Sequence, residues 1–127
     1  MINVNMFRKQ YIVRRYGEQT IVNGYPHSSH NDIKMLLNVQ NLTPDELQAL
    51  PEGERSVKHI KTYGPSMLQP SDENTSITGD RLYYHDYWYK CKSSNQWEYN
   101  LFSLAHFESV FVILPPNEQK LMGAPEL

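Results

Sequence analysis

The sequence predicts a small, mainly β protein: an antiparallel β-barrel or sandwich with one short inserted helix and a long loop. Three observations carry this expectation. β-branched and aromatic residues gather in five or six short runs separated by turn-forming residues. Only one segment carries helix start and stop signals. The length, 127 residues with 39% hydrophobic, suits one domain with a modest core. Residues 1–114 read as that domain, and residues 115–127 as a mobile Pro-containing tail.

Taken in order, Gln10–Tyr16 and Gln19–Asn23 read as strands around a Gly17-Glu18 hairpin turn. Gly24–Asp32 (GYPHSSHND) reads as a polar loop and Ile33–Gln40 as a strand. The helix follows. Thr43 caps it, Pro44 fits its first position, Glu46 completes a Thr-x-x-Glu capping box, and Pro51 stops it after Leu47 and Leu50. Ser56–Tyr63 reads as the next strand, and Gly64–Gly79 as a long polar loop of the kind that usually has a function. Asp80–Tyr84 and Tyr87–Lys92 form a hairpin across His85-Asp86. Alternation puts Arg81, Tyr83, Trp88, Lys90 and Lys92 on one face and Leu82, Tyr84, Tyr87 and Tyr89 on the other. Ser93–Ala105 reads as a mixed loop with Trp97 and Tyr99, before a last strand, His106–Leu114, ended by Pro115-Pro116. Leu82, Tyr89, Val110, Val112 and Leu114 are the expected core members.

Composition narrows the function. A net charge of −2 argues against a strongly basic nucleic-acid protein. The single cysteine, Cys91, cannot form an internal disulfide, and no apolar run approaches a membrane span or a signal peptide. The expectation is a soluble protein made in the cytoplasm. His27, His30 and Asp32 are the one local set of metal-ligand types, in a stretch read as a solvated loop; His59, His85 and His106 are scattered. There is no Gly-x-Ser-x-Gly elbow and no phosphate-cradling Gly-rich loop. No catalytic, cofactor or metal residues are therefore expected, and the chain does not read as an enzyme.

Two features stand out. One is the aromatic ladder Tyr83, Tyr84, Tyr87, Trp88, Tyr89 interleaved with Arg81, Lys90 and Lys92. It could stack single-stranded bases or meet protein neighbours, since nine Tyr bring apolar area with polar tips. The other is the long loop, which carries Asp72 and Glu73 and no Lys or Arg.

The order of elements resembles the head-completion proteins of tailed bacteriophages, also called stopper, head-closure or head–tail connector proteins. The resemblance runs through Asn38–Leu50 (NVQNLTPDELQAL), the strand–turn–strand Gly79–Lys92 (GDRLYYHDYWYKCK) and the Trp-containing connection and last strand of Gln96–Leu114. It implies a structural virion neck protein: a homo-oligomeric ring, hexamer or dodecamer, below the portal or adaptor and above the tail terminator or tail tube. Phage DNA would pass through its lumen without sequence-specific binding, no membrane would be involved, and the ring would close the channel after packaging. The resemblance makes Met67, Leu68, Gln69, Asp72, Glu73 and Asn74 channel-facing candidates. Tyr83, Trp88, Lys90, Lys92, Trp97 and Tyr99 become candidates for contact with neighbouring subunits or partners. A single-stranded nucleic-acid-binding barrel is the alternative, as is an adaptor or tail-completion protein of the same neck.

Overall fold

We describe residues 8–72, 78–98 and 105–126 of the chain, from a computed structural model. In chain order the elements are β1 (Lys9–Val22), β2 (Tyr25–Asn41), helix α1 (Pro44–Gln48), a 3-10 turn (Glu52–Glu54), β3 (His59–Gly64), β4 (Arg81–Tyr84), β5 (Tyr87–Glu98), β6 (Ala105–Ile113) and helix α2 (Pro116–Met122). The strands are antiparallel and close into a barrel in the order β1-β2-β3-β6-β5-β4, with β4 returning to β1. Of the two expected architectures the chain adopts the barrel, which leaves no open sheet edge along the closed ladder. Among the described residues no helix is long and apolar enough to cross a membrane.

The first hairpin departs from expectation. β1 runs through Gly17-Glu18, where the pairing with β2 only shifts register between Tyr16 and Gln19, as at a bulge. The turn lies at Asn23-Gly24, with φ of 53° and 82°. That is the type I′ pattern, which Asn-Gly accepts at little steric cost. The polar stretch 24–32 is therefore mostly strand, the first half of β2. A turn that fixes register lets polar residues pair without a continuous apolar face to align them.

The second hairpin forms as expected. Tyr84 pairs with Tyr87 across His85-Asp86, whose φ values are 47° and 69°. β5 then continues into the stretch read as loop, pairing with β6 as far as Glu98 opposite Ala105. The capping box at α1 also forms. The Thr43 hydroxyl accepts the Glu46 N–H at 3.3 Å, and Glu46 Oε1 accepts the Thr43 N–H at 2.9 Å.

Val13, Leu37, Ile60, Leu68, Leu82, Tyr89, Cys91 and Phe111 form the core, ringed by Tyr11, Ile33, Met35, Val39, Tyr84 and Ile113. Leu82, Tyr89 and Leu114 are buried as expected. Val110 and Val112 are only half-buried, and Phe111 between them points inward. The reason is that the last strand is apolar on both faces, so its pattern does not mark the inner one. Its neighbour β3 is covered on both faces too: His59, Ile60, Lys61 and Thr62 are all buried. The α1 insert ties down on this outer side through Lys61 Nζ to Glu46 Oε1 at 2.8 Å and Lys92 Nζ to Glu54 Oε2 at 2.7 Å.

Candidate functional site

Alternation along β5 sends Tyr89 and Cys91 inward and Trp88 outward. An outward Trp on a barrel would ordinarily be open to solvent. Trp88 is 1% exposed. Its cover is the segment expected as a mobile tail: residues 116–126 carry α2 and lie over the outer face of β1, β2 and β5. Trp88 Nε1 donates to the Gly123 carbonyl at 2.8 Å. The Gln119 side chain takes both main-chain groups of Trp88, accepting its N–H at 2.9 Å and donating to its carbonyl at 2.7 Å, and also donates to the Leu114 carbonyl at 3.1 Å. Gln119 thus continues the β5 ladder past the point where Pro115-Pro116 ends β6.

Beside Trp88 lies a buried ion pair. Arg14 on β1 and Asp32 on β2 face each other in the ladder. They meet as a fork, Nε to Oδ1 at 2.6 Å and Nη2 to Oδ2 at 2.9 Å, with side chains 4% and 1% exposed. The guanidinium lies 4.6 Å over the Trp88 ring. Its remaining N–H groups donate to the carbonyls of Met122 at 2.7 Å and Ala124 at 3.4 Å, while Asp32 Oδ2 accepts the Glu126 N–H at 2.8 Å. The hydrogen bond from Arg14, outweighing burial, holds the Asp32 carboxyl below its ordinary range. His30 Nε2 lies 2.9 Å from Glu126 Oε1, and the Tyr16 hydroxyl donates to Met122 Sδ at 3.3 Å. Arg14, Trp88 and Asp32 together hold the main chain of the C-terminal segment, and Gln119 of that segment holds the main chain of β5 in return.

The residues expected to contact partners fall in several places. Trp88 is occupied by the chain's own terminus, and Tyr83 packs against it at a ring distance of 5.1 Å. Covered in this way, the ladder does not present Trp88 as an open stacking platform. Lys90 sits half-buried opposite Arg81. Lys92 falls at the register shift between Cys91 and Ser93 and turns to Glu54. The side chain of Trp97 and all of Tyr99 lie outside the described residues.

The long loop is anchored at its base. Gln69 and Asp80 clasp each other: the Asp80 N–H donates to the Gln69 carbonyl, and the Gln69 N–H to Asp80 Oδ2, both at 2.8 Å. The Ser71 N–H donates to the Cys91 carbonyl at 3.0 Å. Leu68, expected to face a channel, is a core residue at 1% exposure, because the clasp folds the loop base over the barrel end. Met67 is 55% exposed, Gln69 is exposed and Asp72 half-buried. Glu73 and Asn74 lie outside the described residues.

The chemistry on offer is modest. Cys91 is buried and its thiol is pushed up to about 12 by burial, the state of a packing residue. Of the His27, His30 and Asp32 set, Asp32 serves Arg14 and His30 faces Glu126, while the His27 side chain lies outside the described residues. Among the described residues no three of His, Cys, Asp or Glu gather as metal ligands. The outer cleft of about 280 Å³ between the α1 insert and β3 is bordered by Lys58 and Arg55. Lys58 is bound to Asn41 Oδ1, and Arg55 to the carbonyls of Gln48 and Leu50. The most developed polar constellation among the described residues is the Arg14–Asp32–Trp88 face that holds the chain's own residues 122–126.

Comparison of the sequence with protein-family models and with curated proteins finds no match.

Proposed function

We propose that the chain is a structural subunit of a tailed-phage neck, assembling as a ring below the portal and supplying the tail's attachment surface. The observation that carries this reading is the Gly79–Lys92 block, the most telling part of the resemblance. It folds as one unit, the β4–β5 hairpin, with Leu82 and Tyr89 in the core and Tyr83 and Trp88 on the outer face. A closed barrel with a filled interior fits a role that rests on surfaces and needs no catalytic group. In this reading the protein works in the virion, with protein partners above and below. On that reading the acidic side chains of the long loop, Asp72 and Glu73, would border the DNA path, where like charge keeps the phosphate backbone from sticking.

Electron microscopy of the purified chain mixed with the portal ring tests this. A ring layer seated under the portal is expected. Absence of any such layer, together with oligonucleotide binding that weakens steeply with salt, would overturn it in favour of a single-stranded nucleic-acid-binding barrel. Changing Asp72 and Glu73 to Lys is expected to leave the ring formed and to give heads that leak DNA or deliver it slowly. Normal packaging, retention and delivery would remove the gating role.

A further inference from the structure

The C-terminal segment is held in an unusual way. Helix α2 buries none of its own residues, and Leu121 on it is 84% exposed. The hold comes from the barrel: Arg14 and Trp88 donate to the carbonyls of Met122, Gly123 and Ala124, and Asp32 accepts the Glu126 N–H. Gln119 is the one side chain of α2 that reaches back to the β5 backbone, at Trp88. Arg14 is set in place by its fork to Asp32, so the socket's donors are positioned by the barrel and not by the segment. Such a socket reads main chain, and it does not depend on which copy owns that chain. The connection is short and stiff. β6 ends at Ile113, and Pro115-Pro116 leads directly into α2, with Pro115 extended at φ −64° and ψ 160°. Short stiff hinges favour exchange of a terminal element between copies.

We propose that this socket takes residues 116–126 of a second copy, the segment docking on its own barrel in the isolated chain and on the next barrel in the assembly. Segment-to-socket docking is head-to-tail, the arrangement that closes into a ring when the rotation permits. The head-to-tail geometry rests on the ring reading above. Exchange would add no new contact type, so assembly would conserve each hydrogen bond just described while making it intermolecular.

Two full-length variants that each add one cysteine test it, Tyr16→Cys and Met122→Cys, whose native side chains touch at 3.3 Å. Mixed and treated with a short thiol cross-linker, they can couple only where a segment sits on another copy's barrel. Buried Cys91 stays silent in the folded chain. The chain carrying both substitutions is the control, and its internal cross-link reports that the fold and the contact survive. A mixed product that rises with protein concentration is expected. Gln119→Ala weakens docking on the home barrel and on the next barrel alike, so it is expected to leave the share of mixed product about unchanged. No mixed product while the control couples internally would overturn the exchange, as would a mixed product no larger than that formed when Met122→Cys is paired with Asp45→Cys on exposed α1. Rings seen by microscopy without the mixed product would remove the exchange and leave the ring. Coupled pairs that never close into a ring would keep the exchange and remove the ring.

Discussion

Arg14 and Asp32 stand opposite each other across β1 and β2 and form a buried fork whose spare hydrogen-bonding capacity reaches three residues of the C-terminal segment. Breaking such a pair from one side leaves the other charge buried and unanswered. Asp32→Asn is therefore expected to cost about 3 kcal/mol in urea denaturation, within the range for broken buried pairs. The Asp32 carboxyl is depressed in the folded chain, chiefly by its hydrogen bond from Arg14. Its contribution is thus present above the ordinary carboxylate value and lost as pH falls through the lower folded one. Stability curves of wild type and Asp32→Asn should converge in acid. Curves that stay parallel to the lowest pH would show that the pair does not drive acid unfolding.

Trp88→Phe keeps a ring under the segment but removes the donor to the Gly123 carbonyl. The expected loss is about 1 kcal/mol, the net worth of one such bond. It should be local. Hydrogen exchange of the amides of residues 119–126 should quicken while those of β3 and β6 keep their protection. Equal quickening across the barrel would mean that the segment and barrel open as one unit.

Phe111→Ala and Val112→Ala separate the two faces of β6. Phe111 is fully buried, and its truncation is expected to cost about 3–5 kcal/mol. Val112 lies half-buried on the outer side between His59 and Lys90, and its truncation should cost roughly 1 kcal/mol. Thermal denaturation checks the order. Val112→Ala costing as much as Phe111→Ala would mean that the outer face under the α1 insert is as tightly packed as the barrel interior.

The legible parts of the fold were those with local chemistry. Thr43, Pro44 and Glu46 fix a helix start by themselves, and alternation through Arg81–Lys92 marks Leu82 and Tyr89 as inward. The β6 face was not legible, because apolar residues occupy both sides and only the register against β3 and β5 decides. The first turn was legible at Asn23-Gly24. Reading it there pairs Val22 with Tyr25 and brings Arg14 within one position of Asp32, a gap the bulge closes. The Trp88 socket was out of reach. Arg14, Asp32, Trp88 and Gln119 come from four separate elements, and no spacing in the chain joins them. A Pro-rich terminus also reads as tail whether or not a barrel face is waiting for it.

Asp80 makes the last test, and its sign is opposite to that of Asp32. The carboxylate is 5% exposed, accepts the Gln69 N–H at 2.8 Å and lies 3.5 Å from the guanidinium of half-exposed Arg15. Burial raises its pKa above the ordinary carboxylate value, more than the Gln69 hydrogen bond and the Arg15 charge lower it. A group raised in the folded state contributes stability below its unfolded pKa and loses that contribution as pH rises through the folded value. At neutral pH the folded chain therefore holds a charge that burial disfavours. Asp80→Asn keeps an oxygen for the Gln69 N–H and removes the charge. It is expected to be more stable than wild type at neutral pH, with the difference closing in acid where Asp80 is itself protonated. Asp80→Ala leaves the Gln69 N–H without its acceptor and should cost about 1–3 kcal/mol in acid, and less at neutral pH, where it also removes the disfavoured charge. Urea titrations of the three chains at neutral and acid pH decide the matter. If Asp80→Asn is less stable than wild type at neutral pH, the Arg15 interaction outweighs burial and the loop base is held by charge.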